Sequence, residues 1–166
     1  MILITGGVKS GKSRKALEIA KKFEKRAFIA TGVGFDKEMK ERIERHKKER
    51  GDDFVTFEEP LKIYEVISRI KDQFDVIVVD CLTTWLGNLF FEYQDDFETI
   101  ERHVNLLLEN LCGKELIVTN EVGLGVIPAD FVTRKYVETL GKLNSLIAQR
   151  CDEVYLMVCG IGVRIK

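Results

Sequence analysis

The chain has 166 residues, 45% hydrophobic and 32% charged, with 26 Lys and Arg against 27 Asp and Glu and a formal net charge of -1. That length and apolar content support one domain with its own core and exclude a disordered chain, and the balanced charge offers no global basic field for nucleic acid. No apolar run approaches the roughly 20 residues that a membrane-spanning helix requires, and the opening MILITGG does not read as a signal peptide.

In chain order, Met1–Thr5 reads as a buried strand and Lys12–Phe23 as a helix with Ala16, Ile19, Ala20 and Phe23 on one face. Ala27–Thr31 is a second apolar strand. The charged run Asp36–Arg50 has helical spacing, with Met39, Ile43 and His46 sharing a face. Phe54–Phe57 is a short strand, and Pro60 opens a helix whose periodic part is Leu61–Ile70. Val76–Val79 is a β-branched strand ending at Asp80, and Leu82–Leu111 is mainly helical with a polar break near Gln94–Asp96. Leu116–Thr119 is the next strand, Asn120–Pro128 a glycine-containing loop, Ala129–Arg150 a long helix, and Val154–Val158 the last core strand. The tail GIGVRIK forms either an edge strand or a turn.

Wholly apolar strands separated by helices imply a mostly parallel sheet covered on both faces. The expected architecture is a single-domain α/β fold of the P-loop NTPase type over residues 1–166, without repeats or linkers. The four cysteines, Cys81, Cys112, Cys151 and Cys159, have no C-x-x-C spacing and lie in or beside apolar runs. They read as buried thiols in a reducing compartment, which points to the cytoplasm.

The strongest local signal is GGVKSGKS, a full G-x-x-x-x-G-K-S motif between the first strand and the first helix. Gly6, Gly7 and Gly11 let the chain curl, so that the amides of Gly6, Gly7, Val8, Lys9, Ser10 and Gly11 can face phosphate oxygens at a helix N-terminus. Lys12 brings a positive charge to the β- and γ-phosphates of ATP or GTP, and Ser13 offers a hydroxyl to Mg²⁺. Asp80 ends the run DVIVVD at the carboxyl edge of the sheet. There it either holds Mg²⁺ or caps the following helix, and one side chain could do both.

The chain has two histidines. His46 lies in RIERHKKER among Arg42, Arg45, Lys47, Lys48 and Arg50. Its residues alone fit a solvated charged helix face, or an imidazole nucleophile whose neighbours neutralise phosphate. His103 falls on an apolar helix face near Ile100, Val104 and Leu107 and reads as a buried structural residue.

Taken together, these segments resemble the bifunctional adenosylcobinamide kinase / adenosylcobinamide-phosphate guanylyltransferase family. The resemblance covers nearly the whole chain: MILITGGVKSGKSR, FIATG, ERIERHKKER, DCLTTWLGNL, TNEVGLGVIP and GIGVRIK. It implies phosphorylation of the aminopropanol hydroxyl of adenosylcobinamide by ATP or GTP. It then implies transfer of GMP from GTP to adenosylcobinamide phosphate, with His46 carrying GMP covalently. The same resemblance implies nucleotide contacts at Ala30, Thr31, Gly32, Lys47, Lys48, Glu49, Arg50 and Glu58, an acidic residue at Asp80, and a homotrimer. Glu58 reads equally as a surface carboxylate, and Glu121 is open between substrate, metal and subunit contacts, or a mere place in a tight loop with Gly123 and Gly125. Two other functions fit the phosphate loop: a monofunctional small-metabolite kinase, and a nucleotide-dependent regulatory module. Nucleic-acid binding fits less well, because Glu38, Glu41, Glu44 and Glu49 balance the basic cluster around His46.

Overall fold

A computed structural model describes residues 1–34, 41, 47, 51–94 and 96–166. The charged helix expected over Asp36–Arg50, and with it His46, Lys48, Glu49 and Arg50, therefore lies outside the described residues except at Glu41 and Lys47, both helical and exposed.

The strands are β1 (Ile2–Gly6), β2 (Arg26–Ala30), β3 (Val55–Glu58), β4 (Val76–Asp80), β5 (Glu115–Val118), β6 (Glu153–Val158) and β7 (Ile161–Arg164). They form one sheet in the order β3-β2-β4-β5-β1-β6-β7. Every pairing from β3 to β6 is parallel, and only β7 runs antiparallel, against β6. The tail is thus an edge strand, paired Val158 with Ile161 and Tyr155 with Arg164.

The strand side chains alternate between two cores, as the pleat requires. Leu3, Ile29, Ile77, Val79 and Ile117 face one layer of helices: α2 (Ile63–Ile70), α3 (Leu82–Tyr93), α4 (Phe97–Asn110) and α5 (Phe131–Arg150). Ile4, Phe28, Val78 and Val118 face the other side, where α1 (Lys12–Ala20) contributes Ala16, Ile19 and Ala20. Burial of each such large aliphatic side chain contributes about 1.5–3 kcal/mol.

Several boundaries differ from the sequence expectations for identifiable reasons. Helix α1 stops at Ala20 rather than Phe23, because its end tightens into bonds from Lys22 to Ile19 and from Phe23 to Ala20 before the chain turns into β2. Helix α2 begins at Ile63 because the Glu59 carboxylate takes the amides of Leu61 and Lys62, each at 2.9 Å. The last long helix starts at Phe131, with Asp130 accepting from the Thr133 amide. The polar break divides α3 from α4, and Asp96 caps the latter. Glu115, expected just outside its strand, belongs to β5 and is fully buried; its carboxylate accepts from the amides of Cys112 and Gly113 at 2.7 and 2.9 Å. The cysteines are all free as expected, but only Cys151 is buried and Cys159 is exposed in the β6–β7 turn. Among the described residues no helix is long and apolar enough to cross a membrane.

Candidate functional site

The phosphate loop leaves β1 at its carboxyl end and re-enters the fold as α1. Gly6 has φ 144°, and a Cβ there would collide with the Met157 carbonyl oxygen of β6. Gly11, at φ 95°, is the N-cap of α1, where no side chain caps the helix among the described residues. Both positions need glycine for these reasons. The first intrahelical bond runs from the Lys15 amide to Gly11, so the amides before it are those that the helix itself cannot pair. Lys12 is buried, and its ammonium reaches back across the loop to the Gly7 carbonyl. Val8 and Lys9 are exposed at the crest, while Ser13 is half-buried at the start of α1. Ser10 is buried, and its hydroxyl has no hydrogen-bond partner among the described residues. The β6–β7 turn braces the loop from outside, with the Gly160 amide donating to the Ser10 carbonyl at 3.1 Å.

Asp80 stands two strands from β1, half-buried at the carboxyl end of β4 and in register with Ala30 and Val118. It is not the cap of α3. Cys81 occupies that position and accepts the Thr84 amide on its sulfur, which removes the capping reading of Asp80. The peptide between Asp80 and Cys81 is cis. Thr31 is fully buried against it: the Thr31 amide donates to the Asp80 carbonyl, and its hydroxyl bonds both backbone groups of Cys81. Asn88 on α3 donates to the carbonyls of Thr31 and Pro60, tying the ends of β2 and β3 to the same helix. Ala30 and Gly32, on either side of Thr31, are half-buried.

Glu58 ends β3 beside Ala30, exposed, and forms an ion pair with Lys47 at 2.8 Å. Four strand spacings separate β3 from β1, about 19 Å across the sheet. The phosphate loop, Asp80 and Glu58 thus occupy one carboxyl edge, with Glu58 at its outer strand and the loop four strands in.

The strand order adds residues that spacing along the chain could not reveal. β5 lies between β1 and β4, so the segment leaving it emerges between the phosphate loop and Asp80. The Glu121 amide donates to the Gly6 carbonyl at 3.2 Å. Behind it, the Asn120 amide donates to the Thr83 hydroxyl at 2.7 Å, and the Asn120 carbonyl accepts from Asn144 at 3.1 Å. Asn144 in turn accepts from the Thr119 hydroxyl, and the Tyr136 hydroxyl donates to the Thr83 carbonyl. Burial, with Cys81 nearby, pushes the Tyr136 phenol well above its ordinary range, keeping it a neutral donor. TNEVGLGVIP carried the visible signal, but not the neighbours of Asn120 and Glu121.

His103, the second histidine, is buried away from the loop residues among α2, α3 and α4. Its ring nitrogens lie 3.4 Å from the Tyr64 hydroxyl and 3.1 Å from that of Tyr93. Among the described residues no three His, Cys, Asp or Glu side chains gather into a metal cage. The oxygens of Ser13 and Asp80 are nevertheless the hard donors that suit Mg²⁺, which takes one or two protein oxygens and fills its shell with water and phosphate. The unpaired Ser10 hydroxyl within the same loop is a polar group left for a bound molecule.

A family model described as cobinamide kinase / cobinamide phosphate guanyltransferase matches residues 2–165. The chain is 34% identical over 180 residues to the bifunctional adenosylcobalamin biosynthesis protein CobU of Escherichia coli, covering 100% of this chain and 99% of that one. It is 38% identical over 168 residues to the corresponding CobP protein of Pseudomonas aeruginosa, with 99% and 96% covered. CobU of Salmonella typhimurium is 35% identical over 180 residues, with 100% and 99% covered. Among solved structures, a prototypical ATPase from the type III secretion system of pathogenic bacteria superposes with a TM-score of 0.52 at 13% identity, over 95% of this chain and 50% of that one. That likeness concerns the fold alone.

Proposed function

The chain belongs to the cobinamide kinase / cobinamide phosphate guanyltransferase family, and from that premise we propose how one sheet edge serves both reactions. The protein is an adenosylcobinamide kinase and guanylyltransferase of cobalamin biosynthesis. The observation that carries the reading is the family match over residues 2–165, joined to a glycine-rich loop and an acidic strand end on the same edge. The whole chain, 1–166, acts as one domain of P-loop NTPase type.

For the kinase step, the loop amides from Gly6 to Gly11 hold the nucleotide phosphates, and Lys12 neutralises the β- and γ-phosphates as charge moves toward the leaving nucleotide. Mg²⁺, held at Ser13 and Asp80, supplies charge neutralisation at the phosphates when bound. The aminopropanol hydroxyl of adenosylcobinamide attacks the γ-phosphorus of ATP or GTP, and the nucleoside diphosphate leaves. For the guanylyl step, the His46 imidazole attacks the α-phosphorus of GTP and pyrophosphate leaves, with Lys47, Lys48 and Arg50 as local cations. The phosphate of adenosylcobinamide phosphate then takes GMP from the histidine. Glu58 and Ala30–Gly32, with Glu49, complete the nucleotide contacts. The Lys47–Glu58 ion pair supports this placement, because it ties the basic segment to the strand end beside Ala30. A cytoplasmic homotrimer completes the reading. Leu124, Val126, Ile127 and Phe131, all exposed, supply apolar surface for subunit contact.

The test uses the purified chain with adenosylcobinamide. Label from γ-³²P-GTP should enter the corrinoid first. Label from α-³²P-GTP should enter the protein as an acid-labile, alkali-stable adduct and then pass to adenosylcobinamide phosphate. Phosphorylation without protein labelling would leave only the monofunctional kinase.

A further inference from the structure

We infer that Glu121 is the general base of the kinase step, taking the proton of the attacking corrinoid alcohol. This rests on the kinase reading above. The strand order supplies the first argument. β5 separates the phosphate-loop strand from the Asp80 strand, so the residues leaving β5 stand one spacing, about 5 Å, from each. The bond from the Glu121 amide to the Gly6 carbonyl fixes this residue beside the first glycine of the loop.

The second argument is elimination among the described carboxylates of this edge. Asp80 is assigned to the metal, Glu59 is occupied by the amides of Leu61 and Lys62, and Glu58 is paired with Lys47 at the far end. Glu121 is half-buried, and among the described residues its carboxylate accepts only from the Gly123 amide, at a long 3.3 Å. It is thus positioned near the loop yet available to a ligand. The third argument is support. Asn120 is held through its amide by Thr83 on α3 and through its carbonyl by Asn144 on α5. The backbone that presents Glu121 is therefore anchored, while its side chain can swing toward substrate.

In the step, the alcohol oxygen forms a bond to the γ-phosphorus, and the bond from that phosphorus to the bridging oxygen of the diphosphate breaks. The alcohol proton passes to the Glu121 carboxylate and then to solvent. Loading of His46 removes no alcohol proton, so it has no need of this base. The two activities should therefore separate.

The experiment compares Glu121→Gln and Glu121→Asp with wild type. Gln keeps the size and the acceptor for Gly123 but loses basicity. Its kcat for adenosylcobinamide phosphorylation should fall roughly 10²–10⁴-fold, with KM for nucleotide near wild type and GMP labelling of the protein retained. Asp should recover part of the lost kcat. A Gln variant with wild-type kcat overturns the assignment. So does a variant that loses labelling and phosphorylation together, since that marks a role in nucleotide binding or folding. A wild type that labels with GMP but never phosphorylates adenosylcobinamide overturns the kinase reading itself.

Discussion

The Thr31 hydroxyl holds both backbone groups of Cys81, donating to its carbonyl and accepting from its amide, each at 2.9 Å. One side chain at the end of β2 thereby fixes the turn by which the chain leaves Asp80 and enters α3. Thr31→Val keeps the volume but removes both of these hydrogen bonds, while the Cys81 carbonyl still accepts the Trp85 amide. Net loss of a hydrogen bond of this kind costs about 0.5–1.5 kcal/mol. Urea unfolding should show that loss of stability. Because the turn also aims Asp80, the Mg²⁺ concentration giving half-maximal rate should rise in the same variant. A Val variant as stable as wild type would mean that the turn is held by Asn88 and the strand ladder instead.

Lys12 and Asp80 should separate phosphate binding from metal binding. Lys12→Ala removes the ammonium that spans the loop and should lower the phosphorylation rate by roughly 10²–10³-fold. Asp80→Asn keeps the size but removes the charge, so its defect should diminish as Mg²⁺ is raised. Both side chains lie at the site edge rather than in either core, and far-ultraviolet circular dichroism should match wild type. An Asn variant with an unchanged Mg²⁺ titration contradicts the metal assignment of Asp80.

The legible and illegible parts of this protein divide along a physical line. The positions of the loop glycines, Lys12 and Asp80 in the fold were readable because each is set by local geometry: a strand, a tight turn, a helix start. The two-faced core was readable from period-two and helical spacing. The cap at Cys81 was missed because thiols are uncommon caps and Asp80 is the better one by residue type. The start of α2 was missed because Glu59, a side chain before the helix, takes the amides of Leu61 and Lys62. Asn120, Asn144 and Thr83 were invisible because their contact depends on the order of strands across the sheet. That order is a long-range property with no signature in neighbouring residues. His46 and Lys48–Arg50 lie outside the described residues, so the roles proposed for them rest on the sequence resemblance.

His103 predicts a pH dependence of stability that does not pass through the active site. Burial among Tyr64 and Tyr93 disfavours the imidazolium, and Lys62 and Arg102 oppose it further, while Glu65 partly offsets them. Its pKa in the fold is thus below the ordinary 6.5. A lowered pKa means that the unfolded chain binds the proton more readily. Stability is full above the unfolded value and is lost as pH falls below it toward the folded value. Denaturant midpoints measured between about pH 7.5 and 5.5 should fall with pH in wild type, and less so in His103→Gln, which cannot titrate in that range. Equal slopes in the two proteins would assign the pH dependence to other groups.

The decisive test of the second activity is His46→Asn. A neutral imidazole can attack phosphorus and form a phosphoramidate; an amide cannot. The variant keeps a polar side chain on a charged segment whose neighbour Lys47 already reaches Glu58 at 2.8 Å. The fold and the phosphate loop should therefore be undisturbed. Protein labelling from α-³²P-GTP should vanish, and so should GMP transfer to adenosylcobinamide phosphate. Phosphorylation of adenosylcobinamide from γ-³²P-GTP should survive at least in part, because that step needs positioning and charge neutralisation rather than this nucleophile. The two measurements must be made on one preparation, since an unfolded variant would lose both. Full GMP labelling in the Asn variant would exclude His46. The other histidine is a poor substitute, because both ring nitrogens of His103 face tyrosine hydroxyls within 3.4 Å, in a buried position between helices. A paired result, with labelling lost and phosphorylation kept, fits one chain that performs two transfers with two separable groups.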